Sequence, residues 1–326
     1  DQHVARKELA LALALLAGTH LDDLLRGHQH LAEAILHALE LDALLERRRY
    51  LLLVAGIALA HSGTEPSPYI SGVPVNPSDA DFDVLDSFDI EAFSEDVYNV
   101  GIGFDGTYFW ITEGVSQGSG MNQIYIVDAD TYTLVTQVDQ NGTTPGWGLR
   151  DLCYDGSYIF GSDDYQVDYY DPSTYEKVGA FTSNAVSPNR AMAWDGTYFY
   201  TGSFANTIYQ VEWDGVSGSS ATYTSWSTAV ANGGTYGAAY DTWDDCLWVS
   251  TASSDGMLYQ IDSDGSLIAA HNISPEVPMA GGCTMAPYDG AEQLWVLSQG
   301  DPDMVYCFKV HESLTPTTWG DIKTLF

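Results

Sequence analysis

The feature that most constrains this sequence is a unit of short strands that occurs five times. Residues 192–211 (MAWDGTYFYTGSFANTIYQV) contain a small apolar strand, an Asp-Gly turn, an aromatic strand, a polar loop and a third strand. Successive aromatic strands start 50, 40, 49 and 47 residues apart, at Tyr108, Tyr158, Tyr198, Leu247 and Leu294. Such a period is typical of repeat folds in which each unit is one four-stranded sheet.

The first strand of each unit is rich in glycine, alanine or other small residues, as in Gly101-Ile-Gly103 and Gly237-Ala-Ala239. Small residues suit strands that crowd around a central axis. Asp-Gly turns lead from these strands to the aromatic ones at Asp105, Asp155, Asp195 and Asp289, and residues 241–245 form a longer variant. The pattern predicts an all-β, five-bladed β-propeller; a six-bladed alternative would need about 40 more residues.

The fifth unit has no fourth strand of its own, because Pro316 interrupts the residues that follow its third strand. Residues 82–90 alternate apolar and acidic side chains and have no neighbouring strand in sequence. We expect this N-terminal strand to pair with the third strand of the last blade, which closes the ring and covers an exposed sheet edge.

The units at residues 108–139 and 198–211 resemble the YVTN-type repeat of secreted and cell-surface propellers, and the resemblance extends over residues 99–310. It implies a propeller that binds a partner outside the cell. Five blades, a signal-like segment and the Gly101-x-Gly103 start of the first blade also resemble, more faintly, the glutaminyl cyclotransferases of bacteria and plants. That second resemblance implies an enzyme, and no catalytic residue is carried over from it.

The chain changes character near Gly63. Residues 1–49 are rich in Leu and Ala and favour a helical segment, interpreted either as a tether or as a gene-model artefact upstream of the true start. Residues 50–63 resemble a signal peptide, with Arg47–Arg49 before an apolar run, so an extracellular or cell-surface location is expected. Residues 64–81 are predicted as a linker, 82–314 as the propeller and 315–326 as a C-terminal tail.

The formal net charge of the chain is -34. A surface of this sign repels nucleic-acid backbones and anionic membranes, which we therefore exclude as partners. A protein or a glycan is the expected partner, and the oligomeric state is left open. The four cysteines, none in a C-x-x-C arrangement, are expected to be buried free thiols: Cys153, Cys246, Cys283 and Cys307.

The candidate binding site is the mouth of the central channel, where the linkers enter the innermost strands. Arg150 and Arg190 each stand five residues before an Asp-Gly aspartate, so they occupy equivalent positions. Together they could bind a carboxylate or sulfate, or they could form structural pairs with neighbouring acids. The full predicted set is Glu113, Trp147, Arg150, Asp163, Asn189, Arg190, Tyr236 and Asp301.

Close pairs of carboxylates suggest hard cations, and calcium is the candidate ion for Asp163, Asp164, Asp301 and Asp303. The aspartates between third and fourth strands, by contrast, are attributed to turn geometry: Asp128, Asp171, Asp214 and Asp262.

No H-E-x-x-H or phosphate-loop motif occurs in the sequence. The sequence therefore favours a binding module without catalysis. One alternative is a hydrolase or cyclotransferase-like enzyme that uses the carboxylates of Glu113, Asp151 or Asp163. Another is a structural component of a surface layer or filament.

Overall fold

The computed structural model of the chain describes residues 82–94, 97–114, 122–140, 148–162, 164–228, 230, 234–251 and 256–311. The predicted helical segment, signal-like segment, linker and C-terminal tail lie outside these residues, as do Trp147 and Asp163. No helix in the described part of the chain is long and apolar enough to cross a membrane.

The chain forms five four-stranded antiparallel sheets, so the predicted five-bladed β-propeller is confirmed. In the first four blades the strands follow one another from the axis outwards. Blade 1 contains β2 (Asn99–Phe104), β3 (Tyr108–Glu113), β4 (Gln123–Asp128) and β5 (Leu134–Asp139). Blade 2 contains β6 (Leu152–Tyr154), β7 (Ile159–Ser162), β8 (Gln166–Asp171) and β9 (Glu176–Thr182).

Blade 3 contains β10 (Ala191–Trp194), β11 (Phe199–Gly202), β12 (Thr207–Glu212) and β13 (Thr222–Ser227). Blade 4 contains β14 (Gly237–Asp241), β15 (Cys246–Ser250), β16 (Met257–Ile261) and β17 (Leu267–Asn272). Blade 5 has the order β1 (Val84–Asp89), β20 (Met304–Phe308), β19 (Ala291–Ser298) and β18 (Ala280–Tyr288). A short helix, α1 (Glu91–Ser94), follows β1.

The pairing expected for residues 82–90 is present. Strand β1 runs antiparallel to β20, with Phe88 opposite Val305 and Asp89 opposite Met304. Phe88 packs in the cluster between blades 5 and 1, where its ring lies 5.8 Å from that of Phe109 and 6.3 Å from that of Trp295. The first described strand thus completes the last blade and joins it to the first.

The innermost strands come so close together that side chains are excluded at several positions. A Cβ atom on Gly101 would lie 2.6 Å from the carbonyl oxygen of Arg150, in the next blade. One on Gly237 would lie 2.6 Å from the carbonyl oxygen of Gly281, also in the next blade. The small residues of the first strands are therefore required by contact between neighbouring backbones.

The Asp-Gly turns use two geometries. In blades 1 to 3 the aspartate begins a four-residue loop and its carboxylate caps two backbone N–H groups, as Asp195 Oδ1 does for Thr197 and Tyr198, both at 2.7 Å. In blade 5, Asp289 and Gly290 both have positive φ and alone connect Tyr288 to Ala291. The latter is the two-residue hairpin that Asp-Gly favours.

Apolar side chains of adjacent blades form five buried clusters, one at each blade interface. All four cysteines are buried and free, as expected. Burial raises the pKa of each thiol, to about 12 for Cys246.

Candidate functional site

Arg150, Arg190 and Tyr236 occupy equivalent positions at the entry to three innermost strands, as the sequence predicted for the two arginines. Each backbone N–H donates to a carbonyl oxygen at the end of its own blade's second strand; the acceptors are Ser162, Gly202 and Ser250. The side chains nevertheless lie largely under the surface, since Arg150 is 3% exposed and Arg190 is 7% exposed.

The Arg190 guanidinium is part of an aromatic contact. It lies 4.3 Å from the centroid of the Phe204 ring and 5.7 Å from that of Tyr236, within the range of a cation–π interaction. Phe204 is itself more than half exposed. The structure thus brings Arg190 and Tyr236 together, with Phe204 covering the arginine from the solvent side.

Two further residues of the predicted mouth are fully buried. Asn189 Oδ1 accepts a hydrogen bond from Thr201 Oγ1, and Glu113 Oε2 accepts one from the backbone N–H of Gln123 at 3.0 Å. Both Asn189 and Glu113 are 0% exposed. Asn189 is thus bonded to β11, and Glu113 is bonded to the start of β4.

Asp151 occupies the propeller axis, and its role was not foreseen. Its Oδ2 accepts hydrogen bonds from the backbone N–H groups of Met192 at 3.2 Å and Ala238 at 2.8 Å, which belong to blades 3 and 4. Burial raises the pKa of this carboxyl well above its usual range, while backbone N–H groups that include Ile102 of blade 1 oppose the rise. A Cβ on Gly282 of blade 5 would clash with Asp151 Oδ1.

The three described carboxylates considered for calcium lie on loops of two different blades. Asp303 is buried and its Oδ2 accepts from the backbone N–H and the Nδ2 of Asn99, at 3.0 and 3.2 Å, which fastens blade 5 to blade 1. Asp301 lies exposed on the same loop of blade 5, and Asp164 lies exposed on a loop of blade 2. The calcium prediction, which includes Asp163, stays a prediction.

Two adjoining cavities lie at the opposite end of the ring, which we call the turn face because the turns between first and second strands meet there. The axial cavity, of about 360 Å³, opens among the ends of the innermost strands. Its lining includes turn residues or adjacent positions of all five blades: Gly106, Tyr154, Asp195, Thr242 and Glu292.

The interblade cavity, of about 440 Å³, lies between blades 3 and 4 and shares Asp195 and Tyr240 with the axial cavity. It combines aromatic rings with carboxylates; its lining is Asp195, Tyr198, Tyr200, Gln210, Trp226, Tyr240, Asp245, Ser263 and Asp264. Aromatic faces and carboxylates are together suited to a positively charged group.

Hydrogen bonds fix the walls of the interblade cavity. Tyr200 donates to Asp195 Oδ2 at 2.9 Å and accepts from Gln210 Nε2 at 3.0 Å, and Tyr240 donates to Asp245 Oδ1. The Tyr200 and Tyr240 rings are stacked, with centroids 6.2 Å apart. Desolvation, together with the neighbouring Asp195 carboxylate, raises the pKa of Tyr200 to about 12, so its hydroxyl remains a donor at neutral pH.

The turns between third and fourth strands add further aspartates to the turn face, and turn chemistry explains their hydrogen bonds. Asp128 Oδ1 accepts from the Oγ1 of Thr131 at 2.8 Å, and Asp171 Oδ1 accepts from the Oγ of Ser173 at 2.6 Å. These bonds hold the pKa of both carboxyls below the usual range. The side chains are thus ionised at neutral pH and partly exposed.

The binding site predicted from the sequence lies at the other end of the ring, and the interblade cavity was not predicted. Asp195, Tyr198 and Tyr200 are adjacent in the sequence, but Trp226 and Asp264 reach the cavity from β13 and from a turn of blade 4. The available signal was the run of aromatic residues in the third repeat.

No protein-family model matches the chain, and no curated protein matches it. Among solved structures, the chain is similar to the crystal structure of Myxococcus xanthus glutaminyl cyclase, with a TM-score of 0.53 and 8% sequence identity, over 71% of this chain and 97% of that chain. At this identity the shared feature is the fold.

A Myceliophteria thermophila Cps50 (Swd1) β-propeller domain also matches, with a TM-score of 0.38 and 13% identity, over 67% of this chain and 65% of that chain. The YVTN-type repeat is not specifically matched by either structure.

Proposed function

We propose that this chain is a binding module without catalysis, secreted or displayed at a cell surface. Its turn face binds basic side chains of a polypeptide partner. The observation that carries the proposal is the interblade cavity, in which four aromatic side chains and three carboxylates surround about 440 Å³. A lysine or arginine side chain fits such a site through cation–π contact and charge.

The distribution of charge supports a basic partner. Residues 64–326 contain 37 acidic side chains and five Lys or Arg, and two of these five, Arg150 and Arg190, are buried towards the other end of the ring. The turn face holds the aspartates of both sets of turns. Long-range attraction then accelerates the encounter with a cationic partner.

The enzyme alternative receives less support from the predicted mouth. Glu113 and Asp151, two of the three carboxylates considered for catalysis, are 0% exposed and accept backbone hydrogen bonds. A general acid or base must come within hydrogen-bond reach of its substrate. Because their oxygens face backbone donors, we assign both side chains a structural role.

Binding to arrayed basic, neutral and acidic peptides tests the proposal, followed by affinity measurements with the best ligand. We expect Trp226→Ala to weaken binding by about tenfold or more, since a cation–π contact to a desolvated ring contributes up to about 2 kcal/mol. Tyr223→Ala is the matched control, because Tyr223 is an exposed aromatic residue of the same strand and does not line the cavity.

Two results would contradict the proposal. One is a ligand, a glycan for example, whose affinity is the same for Trp226→Ala and the unchanged protein. The other is turnover, such as ammonia release from peptides with N-terminal glutamine, that disappears in Glu113→Gln or Asp151→Asn.

A further inference from the structure

Three potential metal ligands from two blades converge at the turn face, outside the two cavities. Asp241 is the last residue of β14 in blade 4, Asp244 lies in the turn between β14 and β15, and His311 follows β20 in blade 5. One ligand atom from each lies within 4.8 Å of the other two. The group was not predicted from the sequence, because the histidine and the aspartates belong to different repeats.

The closest pair of the three groups, His311 and Asp241, is buried and lies at ion-pair distance. His311 Nε2 lies 2.9 Å from Asp241 Oδ2, yet its direction does not meet the geometry of a hydrogen bond. The side chains are 6% and 0% exposed, respectively. The imidazole nitrogen is therefore buried beside the carboxylate oxygen.

Neighbouring groups hold both buried ligands in place. Asp241 Oδ2 accepts from Trp248 Nε1 at 3.1 Å, and its Oδ1 accepts from the backbone N–H of Trp243 at 2.9 Å. Gln293 fixes the backbone of His311 from both sides, donating to its carbonyl oxygen at 2.7 Å and accepting from its N–H at 3.1 Å. Such supporting bonds orient metal ligands and raise their affinity.

We propose that Asp241, Asp244 and His311 form a binding site for a divalent transition-metal ion, with Zn²⁺ as the expected ion. Imidazole nitrogen with carboxylate oxygen is a ligand set that Zn²⁺ favours, whereas Ca²⁺ and Mg²⁺ favour oxygen alone. Asp244 is exposed, so the fourth position faces solvent and can take a water molecule.

The equivalent turn of blade 1 shows which part of the arrangement is special. There, Asp105 Oδ2 accepts from Trp110 Nε1 at 2.8 Å, as Asp241 Oδ2 does from Trp248, and both aspartates cap their turns. Among the residues that the structure describes, a group of potential metal ligands is found where His311 of blade 5 adds a nitrogen beside the turn of blade 4. The Asp–Trp pair thus belongs to the turn, and His311 makes the site.

The proposed ion has a structural consequence. It links the turn of blade 4 to the end of β20, and β20 is the strand with which β1 pairs. Binding to the folded state alone raises stability in proportion to the logarithm of ion concentration over Kd. The ion should therefore stabilise blade 5, in which β1 pairs with β20.

The test is titration of the chelator-treated full chain with Zn²⁺ by calorimetry and with Co²⁺ by visible absorption. The six histidines before Gly63 are additional potential ligands, so the informative quantity is the difference between variants. We expect His311→Gln to lose one equivalent of ion and Asp244→Asn to weaken that equivalent by at least about tenfold. Asp130→Asn, an exposed turn aspartate of blade 1, should match the unchanged protein.

Thermal unfolding with and without Zn²⁺ gives a second readout, in which the ion raises the midpoint of the unchanged protein and of Asp130→Asn more than that of Asp244→Asn. Because Asp244 is exposed, its variant tests the site even where His311→Gln fails to fold. Equal stoichiometry, affinity and thermal shift in Asp244→Asn and the unchanged protein would overturn the proposal.

Discussion

One carboxyl group, that of Asp151, contacts the innermost strands of several blades at once. Met192 and Ala238 donate their backbone N–H groups to it, and both residues are buried. Asp151→Ala should lower the free energy of unfolding by about 1 to 3 kcal/mol for each buried N–H left without an acceptor. Asp151→Asn keeps one oxygen and should cost less.

Urea unfolding of both variants measures this difference. Asp164→Ala serves as the control, because Asp164 is exposed on a loop and its replacement should leave the free energy of unfolding nearly unchanged. A loss in Asp151→Ala no greater than that of the control would contradict the axial role.

The raised pKa of Asp151 gives a pH dependence with a definite sign. The folded state binds the proton more tightly than the unfolded state, so ionising this group on folding is unfavourable. The unchanged protein should therefore lose stability relative to Asp151→Asn as the pH rises from the ordinary carboxyl pKa through the raised one. Unfolding curves of the two proteins at matched pH values measure the effect; a constant difference would contradict it.

The cysteine thiols should be inaccessible to a thiol reagent in the folded protein. All four are buried, and burial raises the pKa of each, so little of the reactive thiolate is present at neutral pH. We expect no rapid reaction in buffer and four equivalents in guanidinium. Fewer than four equivalents after unfolding would indicate a disulfide.

Residue roles were only partly predictable from the sequence. The entry positions of Arg150 and Arg190 follow from repeat alignment, but their burial depends on side chains such as Phe204, which lies in another loop. For Asp151 a signal existed: it stands where the other first strands have Gly101, Ala191 or Gly237. An acid in a column of small residues points to the axis.

At the level of strands, β1 is the element whose removal should have the largest effect. Removal of residues 1–90 exposes the edge of β20. It also removes Phe88 and Ile90 from the cluster between blades 5 and 1. We expect loss of a single cooperative unfolding transition, because an open edge and an uncovered apolar face remain. The measurement is thermal unfolding followed by circular dichroism.

Removal of residues 1–81 is the control, since this deletion takes away only residues that precede β1. It should retain one cooperative transition. If both truncations unfolded alike, the contribution assigned to β1 would be wrong.

Strand positions were the part of the fold most readily predicted, because aromatic second strands and Asp-Gly turns repeat with a regular period. Strand lengths were less predictable. Strand β18 extends over Ala280–Tyr288, because its two-residue turn and a register shift lengthen the pairing with β19. Such features arise from hydrogen bonding between strands and leave little trace in residue type.

At the scale of the whole molecule, charge repulsion should oppose folding at low ionic strength. The net charge is -34, and many of the aspartates lie on the turn face. Since salt shortens the range of charge interactions to about 10 Å at 0.1 M, the midpoint of thermal unfolding should rise between low salt and moderate NaCl. Sucrose at matched osmolality is the control for solvent effects, and an unchanged midpoint in NaCl would contradict the expectation.

The carboxyl group on the axis also sets a limit on how many repeats the ring can hold. One aspartate reaches backbone donors in blades 3 and 4 while it lies against Gly282 of blade 5, so the opening it fills has the width of a single side chain. An added blade would move the innermost strands beyond its reach. Duplication of a repeat during evolution would thus break the hydrogen bonds of Asp151 at the axis, so this side chain favours a ring of five blades.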